Sequence, residues 1–115
     1  MTDVLNIPGE QEFLNEFGES PQPLEESWIR SITITAENGD LALSYDTHEK
    51  SIRFEWSQGN DVLWEFFRET ATSLSIRSER GETHFIVEFD SVELSGELDV
   101  RVFPAVAVKD SLMRG

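Results

Sequence analysis

The chain has 115 residues, a length suited to one apolar core, and 38% of them are apolar, including eight Phe and three Trp, which excludes disorder throughout. No cysteine is present, so disulfides, thiolate nucleophiles and sulfur-ligated zinc are excluded and stability must come from packing. The net charge of −14, from 23 acids against nine Lys and Arg, repels phosphate backbones and anionic lipid. Neither nucleic acid nor membrane is an expected partner, whereas a protein with a basic surface is.

The charge is concentrated at the start. Asp3, Glu10, Glu12, Glu16, Glu19, Glu25 and Glu26 precede the first base, Arg30. Within this segment "PGEQEFLNEFGES" predicts a short helix that begins after Pro8 and stops at Gly18, with Phe13, Leu14 and Phe17 on one face. "SPQPLEES" then reads as a connector, because its two prolines prevent a continued helix. The N-terminus lacks a basic start followed by an apolar run, and no stretch has the length to cross a bilayer, so the cytoplasm is the expected location.

From Trp28 the period becomes two. Trp28, Ile32, Ile34 and Ala36 alternate with Ser31, Thr33, Thr35 and Glu37, the pattern of a strand with one face in a core. Asn38 and Gly39 signal a tight hairpin with positive φ at both positions. Leu41, Leu43 and Tyr45, then Ile52, Phe54 and Trp56, continue the buried face and complete a three-stranded meander.

"NDVLWEFFRETA" predicts the second helix, over residues 61–71, capped by Asn60 or Asp61. On helical geometry Val62, Leu63, Phe66 and Phe67 form an apolar stripe opposite Glu65, Arg68 and Glu69. Trp64 falls at the margin of that stripe, one turn from Arg68. It either packs at the rim of its own core or meets a partner together with Arg68.

Strand patterns then return with Leu74 and Ile76, with Phe85, Val87 and Phe89, and with Leu98, Val100 and Val102 over residues 92–103. Gly81 marks a hairpin, Gly96 a bulge or turn, and Pro104 precedes a short last run that pairs at an edge or turns into one. The expected fold is α+β: an antiparallel, meander-rich sheet of six to seven strands, with the amphipathic helix at about 61–71 on one face and a short N-terminal helix. The expected organisation is a single domain over 1–115, made of an acidic N-terminal segment (1–27) and an α+β core (28–115).

No catalytic, cofactor-binding or metal-binding set is expected. There is no nucleophile elbow or Gly-rich phosphate loop, and the two histidines, His48 in the turn "YDTHEK" and His84 on a polar strand face, have the setting of solvated residues. Asp46, His48 and Glu49 lack the spacing of a helical zinc site or a calcium loop. What remains is surface recognition, with Glu10, Glu12, Glu16, Glu19, Trp64 and Arg68 as the candidate partner-binding residues.

In size and composition, an acidic, cysteine-free, single-domain protein without a catalytic constellation resembles the small immunity proteins that neutralise bacterial toxins. That resemblance implies acidic side chains filling the cationic cleft of a toxin or enzyme, by a monomer or homodimer. Two alternatives stand beside it. One is a dimeric acidic secretion chaperone, which would share the helix, three strands, helix order. The other is an enzyme or small-ligand binder with its site between helix and sheet and Asp46, His48 and Glu49 at its mouth.

Overall fold

The computed structural model describes residues 5–24, 28–90 and 95–113, with side chains described up to Asp110. Asp3, Glu25, Glu26 and the start of the strand expected from residue 92 lie outside those residues. Among the described residues one helix, α1 (Glu10–Phe17), precedes nine strands: β1 (Gln22–Pro23), β2 (Ile29–Ala36), β3 (Gly39–Asp46), β4 (Ser51–Gln58), β5 (Asp61–Arg68), β6 (Ala71–Glu79), β7 (Glu82–Asp90), β8 (Ser95–Phe103) and β9 (Ala107–Met113). They form two antiparallel sheets, five strands in the order β1-β2-β3-β4-β5 and four in the order β6-β7-β8-β9.

The fold is therefore mostly β, and the expected helix over 61–71 is absent. Its residues form β5, a corner at Glu69 and Thr70, and the first residue of β6. Two periods compete in this stretch. The strand period places Trp64 and Phe66 against the core and leaves Glu65 and Phe67 exposed, whereas the helical stripe would have buried Val62, Leu63 and Phe67 too. Aromatic and β-branched side chains favour the pleated form. The residues read as a helix cap are part of a two-residue turn: Gly59, at φ 59°, and Asn60 close the β4–β5 hairpin with Gln58 opposite Asp61.

One apolar core lies between the sheets. Ile32, Leu41, Leu43, Ile52 and Phe54 from the first sheet join Leu74, Phe85, Val87, Leu98 and Val100 from the second. Phe85 is its hub, with ring centroids 6.1 Å from Phe54, 6.5 Å from Phe13 and 5.4 Å from Phe17. Helix α1 thus packs on the core through Phe13 and Phe17, while Leu14, expected on the same face, points outward at 39% exposure. Trp28, read as a core residue, lies outside: its indole stacks on His48 with centroids 4.4 Å apart.

The hairpins fall where the glycines suggest, though not always by the expected geometry. Arg80 and Gly81, at φ 52° and 78°, make the β6–β7 turn. Between β2 and β3 the turn residues are Glu37 and Asn38, and Gly39, at φ 131°, is the first residue of β3, opposite Ala36. Asn38 instead joins the sheets. Its side-chain amide donates to the Val106 carbonyl (3.0 Å) and accepts from the Val106 N–H (2.7 Å), and the Glu37 N–H donates to the Pro104 carbonyl (2.9 Å). Gly96 pairs in register with Phe89 and is no bulge; the ladder irregularity of β7 and β8 lies between Thr83 and His84. The run after Pro104 becomes β9, an edge strand of the second sheet.

Candidate functional site

Helix α1 presents its acids in an uneven way. Glu10 and Glu12 lie in its first turn, where the positive end of the helix dipole favours them. Its last turn carries no base, and Glu16 and Glu19 stand at the negative end, beside the left-handed Gly18 that closes the helix through its N–H to the Leu14 carbonyl (2.9 Å). Placing carboxylates there disfavours the helix itself, by about 0.3–1 kcal/mol each in this kind of exposed setting. Neither forms an ion pair with a described residue.

These two carboxylates border a cleft of about 450 Å³ between α1 and the sheets. Phe17, Ile34 and Phe103 give it apolar walls, and Thr33, Thr35 and Thr83 contribute hydroxyls. Among the described residues no base lines it, and Phe103 is 54% exposed. β1 pairs only with Arg30 and Ser31, so it does not cover the edge of β2 where Thr33, Ile34 and Thr35 line the cleft. A long side chain with an aliphatic or planar stem and a cationic head matches this lining: the stem on the rings, the head between the carboxylates.

The other expected contact residues are dispersed. Glu10 lines a second hollow, of about 390 Å³, with Phe13, Arg30 and Tyr45, and Glu12 is an exposed residue of α1. Burial pushes the Tyr45 phenol above its ordinary value, and Arg30 offsets part of that rise. Trp64 and Arg68 share a strand instead of a helix turn. The Trp64 ring stacks on Phe54 (6.0 Å) and Phe66 (5.9 Å) at the rim of the core. Arg68 lies over the Phe66 ring at 5.3 Å and donates to the Phe67 carbonyl (2.7 Å). They do not make one outward patch.

The outer faces of both sheets carry acids in opposed pairs that the linear sequence does not reveal. Glu55 sits directly opposite Glu65 on β4 and β5, and Glu88 opposite Glu97 on β7 and β8. Like charges in such positions repel and weaken the ladder unless a cation lies between them. Both pairs need the strand register to be seen.

Asp46, His48 and Glu49 have structural duties. The Asp46 carboxylate accepts the backbone N–H groups of His48 (2.9 Å) and Glu49 (3.0 Å), holding the turn into β4, and the His48 ring is occupied by Trp28. None of the three lines either hollow beside α1. Among the described residues no group of three or more His, Asp or Glu is arranged to hold a metal ion.

His84 is the one histidine set among acids. Its Nδ1 is 2.6 Å from Asp99 and its Nε2 is 3.0 Å from Glu82, which also receives Arg101 at 3.3 Å. Burial disfavours the charged ring, but the hydrogen bonds to Asp99 and Glu82, together with their charges, outweigh it and raise the imidazole above its ordinary value. The same bond from His84 lowers the Glu82 carboxyl. With both nitrogens engaged, the ring has no free site to act as a base; it pins β7 to β8. A histidine with a raised folded value stabilises the fold fully below its unfolded value of about 6.5, and that contribution is lost as pH rises through the folded value. Urea titrations across this range should show the stability advantage of the natural chain over His84→Gln shrinking with rising pH. An advantage that grows with pH would contradict a charged ring.

The class of fold is thus a pair of meander sheets around one core, with an N-terminal helix at the side and an acid-rimmed cleft at the end of that helix. Among solved structures, a chain of a contact-dependent growth inhibition toxin–immunity protein complex from Klebsiella pneumoniae 342 has this fold, with a TM-score of 0.82 over 97% of the present chain and 100% of that chain. Identity is 22%, so the likeness is one of fold. No protein-family model and no curated protein sequence matches the chain.

Proposed function

We propose that the chain is an immunity-type protein, acting in the cytoplasm, that binds a toxin or enzyme through its basic surface and blocks it without chemistry of its own. The observation that carries this reading is the acidity at the end of α1, where Glu16 and Glu19 rim a cleft with apolar walls and, among the described residues, neither an ion-pair partner nor a base. A partner's Lys or Arg supplies the missing cation, and the wider field of −14 speeds encounter. The fold shared with a chain of a toxin–immunity complex supports a protein as the partner.

The toxin side of such a complex is the weaker assignment. The net charge opposes nucleic-acid substrates, and the His84 ring is engaged on both nitrogens. The chaperone alternative rested on a second helix after three strands, and residues 61–68 form a strand. Of the residues that the ligand-site alternative places at a mouth, Asp46 alone lines a described hollow, of about 160 Å³ with Arg53 and Phe67, and its carboxylate is engaged by the turn N–H groups of His48 and Glu49.

Co-expression tests the proposal. The polypeptide encoded immediately upstream of this chain is expected to arrest growth when produced alone, and this chain to restore growth and co-elute with it at low salt. Absence of growth arrest, or arrest that the chain does not relieve, contradicts the reading.

A further inference from the structure

A sheet edge left open is a row of unpaired backbone N–H and C=O groups, and natural sheets blunt such edges by keeping them short or by adding proline, lysine or a cover. Three of the four edges here are treated so over part of their length. β1 is two residues long and ends in Pro23. β6 is covered at its start by the N-terminal segment, with the Asn6 N–H donating to the Thr72 carbonyl (3.1 Å) and the Leu74 N–H to the Asn6 carbonyl (2.8 Å). β9 carries an exposed Lys109.

β5 has no cover among the described residues, and its blunting is limited to the irregularity near Leu63 and the charges of Asp61, Glu65 and Arg68. It is eight residues long, contains no proline or lysine, and leaves Val62 51%, Leu63 46% and Phe67 45% exposed. Its one irregularity lies near Leu63; from Glu65 to Arg68 it pairs regularly with Glu55 to Ile52. Arg68, at its end, is turned back on the strand's own Phe67 carbonyl and Phe66 ring.

We infer that this edge receives an added strand from the partner, an extended basic segment that pairs antiparallel or parallel with β5 and continues the five-stranded sheet. The inference rests on the immunity reading above and adds a second contact, three strands away from the β2 edge and hence about 14 Å from it across the sheet. Charge selects the occupant. Asp61 and Glu65 are exposed on β5 and Glu69 at the corner that follows it, and Glu55 opposes Glu65 with no ion pair for either among the described residues, the neighbouring Arg53 lying over the Phe67 ring at 5.2 Å. A Lys or Arg on the added strand beside Glu65, with an apolar residue two positions on beside Phe67, relieves that repulsion and covers the ring. A second copy of this acidic chain would bring further negative charge to the same place.

A capped octapeptide of alternating lysine and valine is the probe, titrated into the isotope-labelled full-length chain and followed by amide NMR. The expected shifts concentrate in β5 and β4. The exposed-site double variant Val62→Ser and Phe67→Ser should weaken binding by about tenfold or more while the chain remains folded. The same peptide N-methylated at every backbone amide should not bind, because it retains the charge and lacks the ladder donors on both of its edges. Equal binding of the methylated peptide, shifts centred on Thr33 and Thr83 instead, or no binding would overturn the inference. So would a concentration-dependent dimer abolished by the double variant, which would assign the edge to a second copy. Growth rescue reads separately: its failure removes the immunity reading even if the peptide docks on β5, and intact rescue with no peptide binding removes only the strand addition.

Discussion

Replacing Phe85 with alanine is expected to cost about 3–5 kcal/mol of folding stability, the range for emptying a large aromatic site in a packed core. Phe85 has no exposed surface, and its ring is the meeting point of α1 and the two sheets, touching Phe13, Phe17 and Phe54. None of these neighbours can collapse into the space without leaving its own element, so a cavity would persist. Because α1 is held to the sheets through Phe13 and Phe17, the same change should loosen the helix and the acid-rimmed cleft at its end. Urea unfolding followed by far-ultraviolet circular dichroism measures the loss. A cost under about 1 kcal/mol would contradict the placement of Phe85 at the junction.

The second large effect is expected at a residue with no side chain. Gly39→Ala would force a Cβ onto the Ser57 carbonyl and to 2.9 Å from Nε1 of Trp56, at a φ of 131° that L side chains rarely adopt. The Trp56 indole donates to the Asn38 carbonyl at 3.0 Å, and Asn38 in turn holds Val106 on the other sheet, so displacement there propagates to the link between the sheets. Backbone strain of about 1–3 kcal/mol combines with weakened hydrogen bonds of about 1 kcal/mol each, so a total near 3 kcal/mol is expected. Tryptophan fluorescence should shift with it as Trp56 loses its partner. A variant as stable as the parent, with unchanged emission, would mean that the β3–β4 approach is looser than described.

Much of the core could be read from alternation alone. Leu41, Leu43 and Tyr45, Ile52 and Phe54, Phe85, Val87 and Phe89, and Leu98, Val100 and Val102 all lie inward, because a two-residue period has one buried solution per strand. The helix at the N-terminus was equally legible from Pro8, Gly18 and the Phe13–Phe17 spacing. Residues 61–71 misled for a physical reason: four apolar residues at 62, 63, 66 and 67 fit a helical stripe, and the strand solution leaves three of them exposed, at odds with the rule that apolar residues are buried. Exposure of Val62, Leu63 and Phe67 is the feature that sets β5 apart, so the misreading and the proposed docking edge have one origin.

The candidate cleft was only half legible. Glu16 and Glu19 stood out as acids, but the walls come from residues 33–35, 83 and 103, brought together by the pairing of two sheets that no local pattern specifies. Their division depends on the corner at Glu69 and Thr70, where Thr70 takes φ 68° and the Ala71 N–H donates to the Lys50 carbonyl (2.9 Å). Nothing in the identity of a threonine announces that conformation. The opposed acids Glu55 and Glu65, and Glu88 and Glu97, were likewise invisible until register was fixed.

The rate at which the chain captures the upstream-encoded polypeptide, measured against ionic strength for the natural chain and for Glu16→Gln with Glu19→Gln, tests the acidic-surface account most directly. Association is expected to slow steeply with added salt, toward about 10⁵–10⁶ M⁻¹s⁻¹, and the double variant to start slower and show a shallower slope. A rate indifferent to salt, with both chains alike, would mean that negative charge at the end of α1 plays no part in recognition.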